Sequence, residues 1–283
     1  MISVIMSCYK SNKEYLEQAV NSILNQTYKD IELLVANNGV DFDLKRFLKD
    51  FGDSRIKYTD YGGENIGAPL SYDILADLAQ GEYVAIQDHD DISLPWRLEI
   101  EKNALDQNKD LMSVSSTIKV FGGKREYFDG VAMKPEQVKE ELLFWQPIKQ
   151  PTFMKRKEFC NDYKYNPNYF IYDYEFWSRT REIPHEILPD CLLHYRKSPL
   201  NSSKERWNKV REEHAKIVKN NLRKLDIYLP LQTCEMLDPF NRTKHTRGFT
   251  VLFEHYKDKL LENISAELYS KKLKEIQAKI LKL

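Results

Sequence analysis

Cysteine is scarce: four residues in 283, at positions 8, 160, 191 and 234. None forms a CxxC or another metal-type spacing, which argues against a zinc site and a disulfide framework and fits a reducing compartment. Net charge is absent as well. Lys plus Arg and Asp plus Glu number 43 each, so no global field points to nucleic acid or to another polyanion. No apolar run approaches the roughly 18–20 residues that cross a bilayer. The chain opens on the strand-like Ile2-Ser3-Val4-Ile5-Met6, without the basic segment and apolar stretch of a signal peptide. No internal repeat or low-complexity tract is visible. These absences lead to the expectation of a cytoplasmic protein, soluble or peripheral at the inner face of the membrane. With 42% apolar and 30% charged residues, the chain reads as globular, one large domain or a domain with an appendage.

What is present alternates strand and helix. Residues 2–9 form a first strand. Ser11 with Glu14 three residues on is a capping-box pattern, and Leu16, Ala19, Val20, Ile23 and Leu24 give the following helix one buried face. Ile31–Ala36 is a second strand ending at the turn Asn37-Asn38-Gly39. A helix with Leu44, Phe47 and Leu48 leads to the short run Ile56–Tyr58. After the loop Tyr61–Gly67 comes a helix over about 69–79, with Gly81 as its C′ residue. The strand Tyr83–Ile86 follows. Strand, helix, strand in this order predicts βαβ units and a parallel sheet. Further on, the patterns predict a helix over Leu94–Asn103 with Pro95 in its first turn, a strand over Leu111–Phe121, and a hairpin through Gly122-Gly123 to Phe128. Helices over Pro135–Trp145 and Tyr172–Arg181 and strands over Pro151–Met154 and Leu192–Arg196 complete this part.

Three carboxylates crowd Gln87-Asp88-His89-Asp90-Asp91 at the end of the fourth strand. Like charges this close repel. A solvated loop with a helix cap is one reading, Ser93 being the better-placed cap. A calcium loop is a second, but the Gly and Glu that an EF-hand needs at its sixth and twelfth positions are missing. A carboxylate pair holding Mg²⁺ or Mn²⁺ against a nucleotide diphosphate is the third. Position favours the third: Cys8-Tyr9, Asn37-Asn38 and Asp88–Asp91 all fall at carboxyl ends of strands, where open α/β sheets bind ligands.

The chain resembles the glycosyltransferase family 2 enzymes of the GT-A fold, of the bacterial polysaccharide and lipopolysaccharide type. The match runs through Ser3–Tyr9, Ser22–Tyr28, Ile31–Val35, Asn65-Ile66-Gly67, Gly81-Glu82-Tyr83, Asp88–Asp91 and Leu94-Pro95-Trp96-Arg97-Leu98, and resumes at Tyr172–Arg179 and Tyr195-Arg196. The resemblance implies a Rossmann-like, mostly parallel sheet flanked by helices over residues 1–203. A nucleotide-binding half would cover about 1–100 and an acceptor half about 101–203, with a helical extension over 204–283. It implies an inverting transfer from a nucleotide sugar, usually UDP-linked, to a hydroxyl of a glycan or lipid-linked saccharide. Asp88, Asp90 and Asp91 would hold Mn²⁺ or Mg²⁺, with Asp90 favoured as the direct ligand and Asp88 toward the ribose or a metal-bound water. Asp173 would be the general base, with Glu175 its competitor. Cys8, Tyr9, Asn37, Asn38, Asn65, Gly67 and Arg196 would contact the nucleotide, Arg196 or Lys197 meeting the leaving phosphates. The chain departs from the family pattern at three places. Asn37 and Asn38 stand where an Asp is usual, Tyr172 replaces a Glu, and Ser198 stands near the place of a His. His194 precedes Tyr195 on a strand and reads as core.

Trp145, Gln146, Gln150 and Trp177 are expected acceptor contacts. Residues 204–224 read as a helix with eight basic and three acidic residues, and a second helical stretch covers 257–283. Packing against the domain, a homodimer seam and contact with anionic lipid are the three readings for these helices, packing being preferred. Two other functions stay open. A nucleotidyltransferase would want a Gly-rich loop where Ser7–Ser11 stands. A non-catalytic nucleotide-sugar-binding protein is the other.

Overall fold

A computed structural model of the chain describes residues 1–197, 207–237 and 253–281. The expected boundary at 203/204, Ser198 and residues 204–206 lie outside these. The chain divides into two compact units. One comprises Met1–Pro135, Ile148–Pro167 and residues 183–197; the other comprises Glu136–Pro147, Asn168–Glu182 and the described residues beyond 206.

In the first unit, β1 (Ile2–Cys8), β2 (Ile31–Asn37), β3 (Ile56–Asp60) and β4 (Tyr83–Ile86) pair in parallel, with β2 and β4 flanking β1. The crossovers are α1 (Lys13–Leu24), α2 (Leu44–Lys49) and α3 (Ala68–Leu78). Leu16, Ala19, Val20 and Ile23 are fully buried on the sheet, as their spacing requires. The cap of α1 is Asn12 rather than Ser11: its side chain accepts from Tyr15 N at 3.2 Å. Glu32 sits buried within the apolar strand β2 because its partners are built in. Ser3 Oγ and Gln80 N donate to its Oε1 at 2.5 and 2.7 Å, and Lys57 pairs with Oε2 at 3.2 Å. Burial raises its pKa, but these partners outweigh burial and hold the carboxyl below its ordinary value. Gly81 is no C′ residue; α3 ends at Ala79 in extended backbone. A side chain at Gly81 would put its Cβ 2.6 Å from Ser3 N, so close approach explains this glycine.

The chain continues through β5 (Ile92–Ser93), α4 (Arg97–Gln107), β6 (Ser113–Phe121), β7 (Tyr127–Asp129), α5 (Pro135–Glu141), a 3₁₀ turn (Gln150–Thr152), β8 (Met154–Arg156), α6 (Lys157–Asp162), α7 (Tyr172–Arg179) and β9 (His185–Arg196). The nine strands form one sheet in the order β3-β2-β1-β4-β8-β6-β9-β5, with β7 on β6. Beyond β4 it turns mixed: β8 is antiparallel to β4 and β6, β9 parallel to β6, and β5 antiparallel to β9. Residues 92–93, expected to precede a helix at once, form the short β5, so the helix begins after Pro95 and Trp96. The strand expected at Pro151–Met154 is shifted to Met154–Arg156, and residues 150–152 curl into the 3₁₀ turn.

The second unit is helical. Beside α5 and α7 it holds α8 (Trp207–Arg223), α9 (Leu231–Met236) and helices over Lys257–Leu261 and Ala266–Leu281. Asn221 on α8 accepts from Ser178 Oγ at 2.7 Å and donates to Leu142 O at 3.2 Å. Phe253 stacks on Tyr269, and Lys272 pairs with Glu141 at 3.4 Å. Among the described residues, no helix is long and apolar enough to cross a membrane.

Candidate functional site

The strands of the parallel half end in register. Cys8 lies beside Asn37, Asn37 beside Asp60, and Ile5 beside Ile86. Gln87–Asp91 therefore leave β4 next to the end of β1, and β5 catches the chain again one residue after Asp91. A buried polar cluster braces this loop from below. Gln87 Nε2 donates to the carbonyls of Asp88 and Asp91, both at 2.9 Å. Its Oε1 accepts from Ser93 Oγ at 2.5 Å and Arg97 Nη1 at 3.2 Å. Arg97 Nη2 also donates to Ile86 O at 2.8 Å, and its Nε pairs with Glu101 at 3.0 Å. Arg97 and Glu101 are both 0% exposed. Burial pushes the Glu101 carboxyl up to about 7 against the pull of Arg97.

Asp88 and Asp90 are half-buried, whereas Asp91 is fully buried. Asp88 Oδ1 accepts from Tyr72 OH at 2.6 Å. Burial first, and the charge of Asp90 second, push the Asp88 carboxyl up. Asp91 is pushed well up by burial and by both neighbours. Its Oδ1 accepts from Arg196 N at 2.7 Å, and Oδ2 is buried without a hydrogen-bond partner. Arg196, expected at the leaving phosphates, has bonds inside the fold. Its Nε donates to Asp90 O at 2.8 Å and its Nη2 to Gln18 Oε1 at 2.5 Å, while the guanidinium lies between the rings of Tyr15 and Phe121 at 4.0 and 4.5 Å. Arg196 clamps the acidic loop by its backbone, and Asp91 is the anchor of that clamp rather than an open metal ligand. Replacing Arg196 by Met is expected to lower stability by about 1.5–3 kcal/mol, the range for a hydrogen bond made by a charged group, as denaturant unfolding would measure. Among the described residues, no three His, Cys, Asp or Glu side chains form a metal-holding group. The donor set that remains, Asp88 and Asp90, suits a hard cation held by one or two carboxylates and completed by phosphate oxygens.

A cleft of about 640 Å³ opens nearby, lined by Lys10, Ser11, Asn12, Gly39, Val40, Asp41 and Gly63. Tyr9, 40% exposed, packs its ring against Gly39, where φ is +103° and a Cβ would come within 3.1 Å of that ring. Lys10 sits in the left-handed region (φ +45°), with its N–H donating to Gly39 O at 3.1 Å. Such backbone in a non-glycine residue is strained and clusters at functional sites. The motifs did not single out Lys10 or Asp41; their only sequence signal is adjacency to the ends of β1 and β2.

Other expected nucleotide contacts have internal duties. Cys8 is 0% exposed in the core, its thiol pushed up to about 12 by burial, so it lines no open surface. Asn38 is buried, donating to Ser7 Oγ at 3.3 Å and accepting from Ile66 N at 2.9 Å, which ties the glycine loop to β2. Asn37 Oδ1 accepts from the N–H groups of Gly39 and Val40 at 3.2 and 3.0 Å, shaping the turn. Exposed Asn65 accepts from Gly67 N at 2.9 Å. Gly67, at φ +85°, starts α3 in backbone that a side chain would strain.

In the second unit, Asp173 stands half-buried in the first turn of α7. Its Oδ1 accepts from Tyr174 N at 2.9 Å and its Oδ2 from Gln146 Nε2 at 3.2 Å. Burial pushes its carboxyl up against these two hydrogen bonds. Gln146, expected to meet an acceptor, orients Asp173. Glu175 is committed to Arg179 at 2.9 Å. Trp177 is fully buried core, and Trp145 packs on Tyr174 and His214 with ring centres 6.4 and 5.5 Å away. Gln150, in the first unit, donates to Tyr165 OH at 3.0 Å. His194 lies half-buried on β9 beside the Phe121 ring.

Known proteins resemble the chain in sequence and fold. It is 32% identical to the O-antigen biosynthesis glycosyltransferase WbnJ of Escherichia coli over 69% of this chain and 79% of that one. It is 28% identical to a glycosyltransferase of Methanocaldococcus jannaschii over 69% and 70% of the two chains. The fold matches the crystal structure of S. aureus TarS 1-349 in complex with UDP-GlcNAc, with a TM-score of 0.63 and 16% identity over 98% of this chain and 87% of that one. The sequence model described as Glycosyl transferase family 2 matches residues 3–183, and the chain belongs to that family.

Proposed function

We propose that this glycosyltransferase moves a sugar from a UDP-linked donor to a hydroxyl of a glycan or lipid-linked saccharide, with inversion. The observation that carries the reading is the braced loop Asp88–Asp91 at the end of β4, near the cleft at the ends of β1 and β2. The structure of TarS with UDP-GlcNAc and the naming of WbnJ for O-antigen biosynthesis support this choice of donor and acceptor. Tyr9 and Lys10 offer the nucleotide an aromatic face and a cation. Asp88 and Asp90 would hold Mn²⁺ or Mg²⁺, which when bound supplies Lewis-acid charge to the leaving diphosphate. Asp173 would take the proton from the acceptor hydroxyl as its oxygen attacks the anomeric carbon.

Thermal denaturation with a panel of nucleotide sugars, with and without Mn²⁺, tests the donor side. Saturation to a hundredfold over Kd stabilises by about 2.7 kcal/mol, so a rise in Tm of about 5 °C or more is expected. The rise should depend on Mn²⁺ and be lost in Asp90→Asn. A panel in which no UDP-sugar shifts Tm in the presence of Mn²⁺ overturns the reading.

A further inference from the structure

We propose that Glu213, on α8, is a positioning residue for Asp173; the inference rests on the reading of Asp173 as the base. Helix α7 starts without a cap of its own. The residue at its N-cap is Ile171, which has no side-chain acceptor, although the first turn of any helix leaves amide N–H groups in need of one. Glu213 supplies an acceptor from elsewhere in the chain to the two N–H groups that lead into that turn, those of Phe170 and Ile171. Its Oε2 accepts from Phe170 N at 2.7 Å and Ile171 N at 3.1 Å. Glu213 is only 8% exposed, and its carboxylate faces the positive end of the helix dipole, where an anion is favoured. Asp173 stands two residues beyond Ile171, so the backbone that Glu213 holds is the backbone that aims the Asp173 carboxylate.

The rest of the contact shows that α8 sets the whole of α7. Ser178, in its last turn, donates to Asn221 at 2.7 Å, the same number of residues beyond Glu213 as Ser178 is beyond Phe170. Tyr174, the neighbour of Asp173, stacks on His214 with ring centres 5.2 Å apart and planes at 23°. Helix α7 is thus fixed at its start, middle and end by one partner. Of these three contacts, Glu213 is the one that bonds to the backbone just ahead of Asp173. Misplacement of a reacting group by about 1 Å costs on the order of 100-fold in rate, and Glu213 is the contact that holds the end of the helix where Asp173 stands.

Steady-state kinetics of Glu213→Ala, Glu213→Gln, Asp173→Asn and the double variant Asp173→Asn/Glu213→Ala test the inference. Glu213→Ala is expected to lower kcat by about 10- to 100-fold, with the donor KM and the Mn²⁺-dependent donor Tm shift unchanged within twofold. Glu213→Gln keeps an oxygen acceptor and should restore most of kcat. In the Asp173→Asn background, Glu213→Ala should add little, because it acts through the group already removed. If Glu213→Ala does not fold, Glu213→Asp, one methylene shorter, takes its place with the same expected loss. Wild-type kcat in folded Glu213→Ala, or in Glu213→Asp where that takes its place, or a full additional loss in the double variant, overturns the positioning role. Undiminished transfer by Asp173→Asn instead overturns the base assignment, a separate result that the same experiment reads.

Discussion

Asp173→Asn is expected to lower sugar transfer by on the order of 10²- to 10⁴-fold, the usual contribution of a positioned proton acceptor, while donor binding stays as it is. The substitution is close to isosteric, and the site can absorb it. Asp173 receives one hydrogen bond from the N–H of Tyr174 and one from the amide of Gln146. An Asn keeps its oxygen toward Tyr174 N and turns its NH₂ toward Gln146, whose amide can rotate to present oxygen. The fold therefore survives, and the rate loss reports chemistry. The pH profile gives a second readout. Burial raises the Asp173 carboxyl, while Tyr174 N and Gln146 oppose the rise. The acid limb of kcat should accordingly lie above the ordinary aspartate value of about 3.9, with the rate falling as pH drops through it. Gln146→Leu removes one opposing hydrogen bond and should move that limb higher. Equal turnover by wild type and Asp173→Asn across the pH range would remove Asp173 from the mechanism.

Arg97→Met is expected to cost about 3–5 kcal/mol of stability, the range found when one partner of a buried ion pair is deleted. That is a large share of the roughly 5–15 kcal/mol that holds an ordinary domain. The loss has two parts. Glu101 is left as a buried, unpaired carboxylate, and Ile86 O, Gln87 Oε1 and Ser93 Oγ lose donors. The sign of the pH dependence follows from Glu101. Its folded pKa of about 7 exceeds the unfolded value near 4.3, so the folded state binds the extra proton between these values. Its contribution is most favourable at low pH and is lost as pH rises through about 7. Without Arg97 the carboxyl moves higher still, and the destabilisation should be greater at pH 8 than at pH 5. Denaturant unfolding at both values measures this. Arg97→Met combined with Glu101→Leu should regain the part of the loss that comes from the unpaired Glu101, and not the part that comes from Ile86 O, Gln87 Oε1 and Ser93 Oγ, which still lack the donors of Arg97. The Asp88–Asp91 loop, resting on Gln87, should lose cation-dependent ligand binding in the single variant.

The parallel half of the sheet was legible because its strands are short apolar runs separated by turn residues and amphipathic helices. In the second half, β6, α7 and the end of β9 fall where the patterns place them, and β8 does not, because charge is buried inside it. Lys155 and Arg156 occupy the middle and end of β8. Lys155 is enclosed by the rings of Phe153, Phe159 and Tyr165 at 5.2–5.9 Å, and Arg156 donates to Leu111 O at 2.9 Å. A strand with such residues has no apolar signature, so the pattern settled on Pro151–Met154, a few residues too early. The acidic loop was visible as a motif, but the division of labour within it was not. Arg196 is 105 residues from Asp91, and Gln146 is 27 from Asp173; such pairings are set by tertiary folding and leave no spacing to read. The burial of Cys8 and Asn38 was hidden for a related reason. A residue at a strand end points alternately toward core and cleft, and one position decides which.

The support of α7 by α8 has a consequence for synthesis on the ribosome. Domains fold as units, N-terminal parts first, yet the backbone ahead of Asp173 is held by Glu213 and the far end of its helix by Asn221. The segment that bears the family likeness ends at residue 183. Residues 168–182 must therefore leave the exit tunnel and wait for some forty more to follow before their partners arrive. A chain stopped after the family segment keeps every strand of the parallel half and every carboxylate of the acidic loop, but α7 then lacks the helix that holds it.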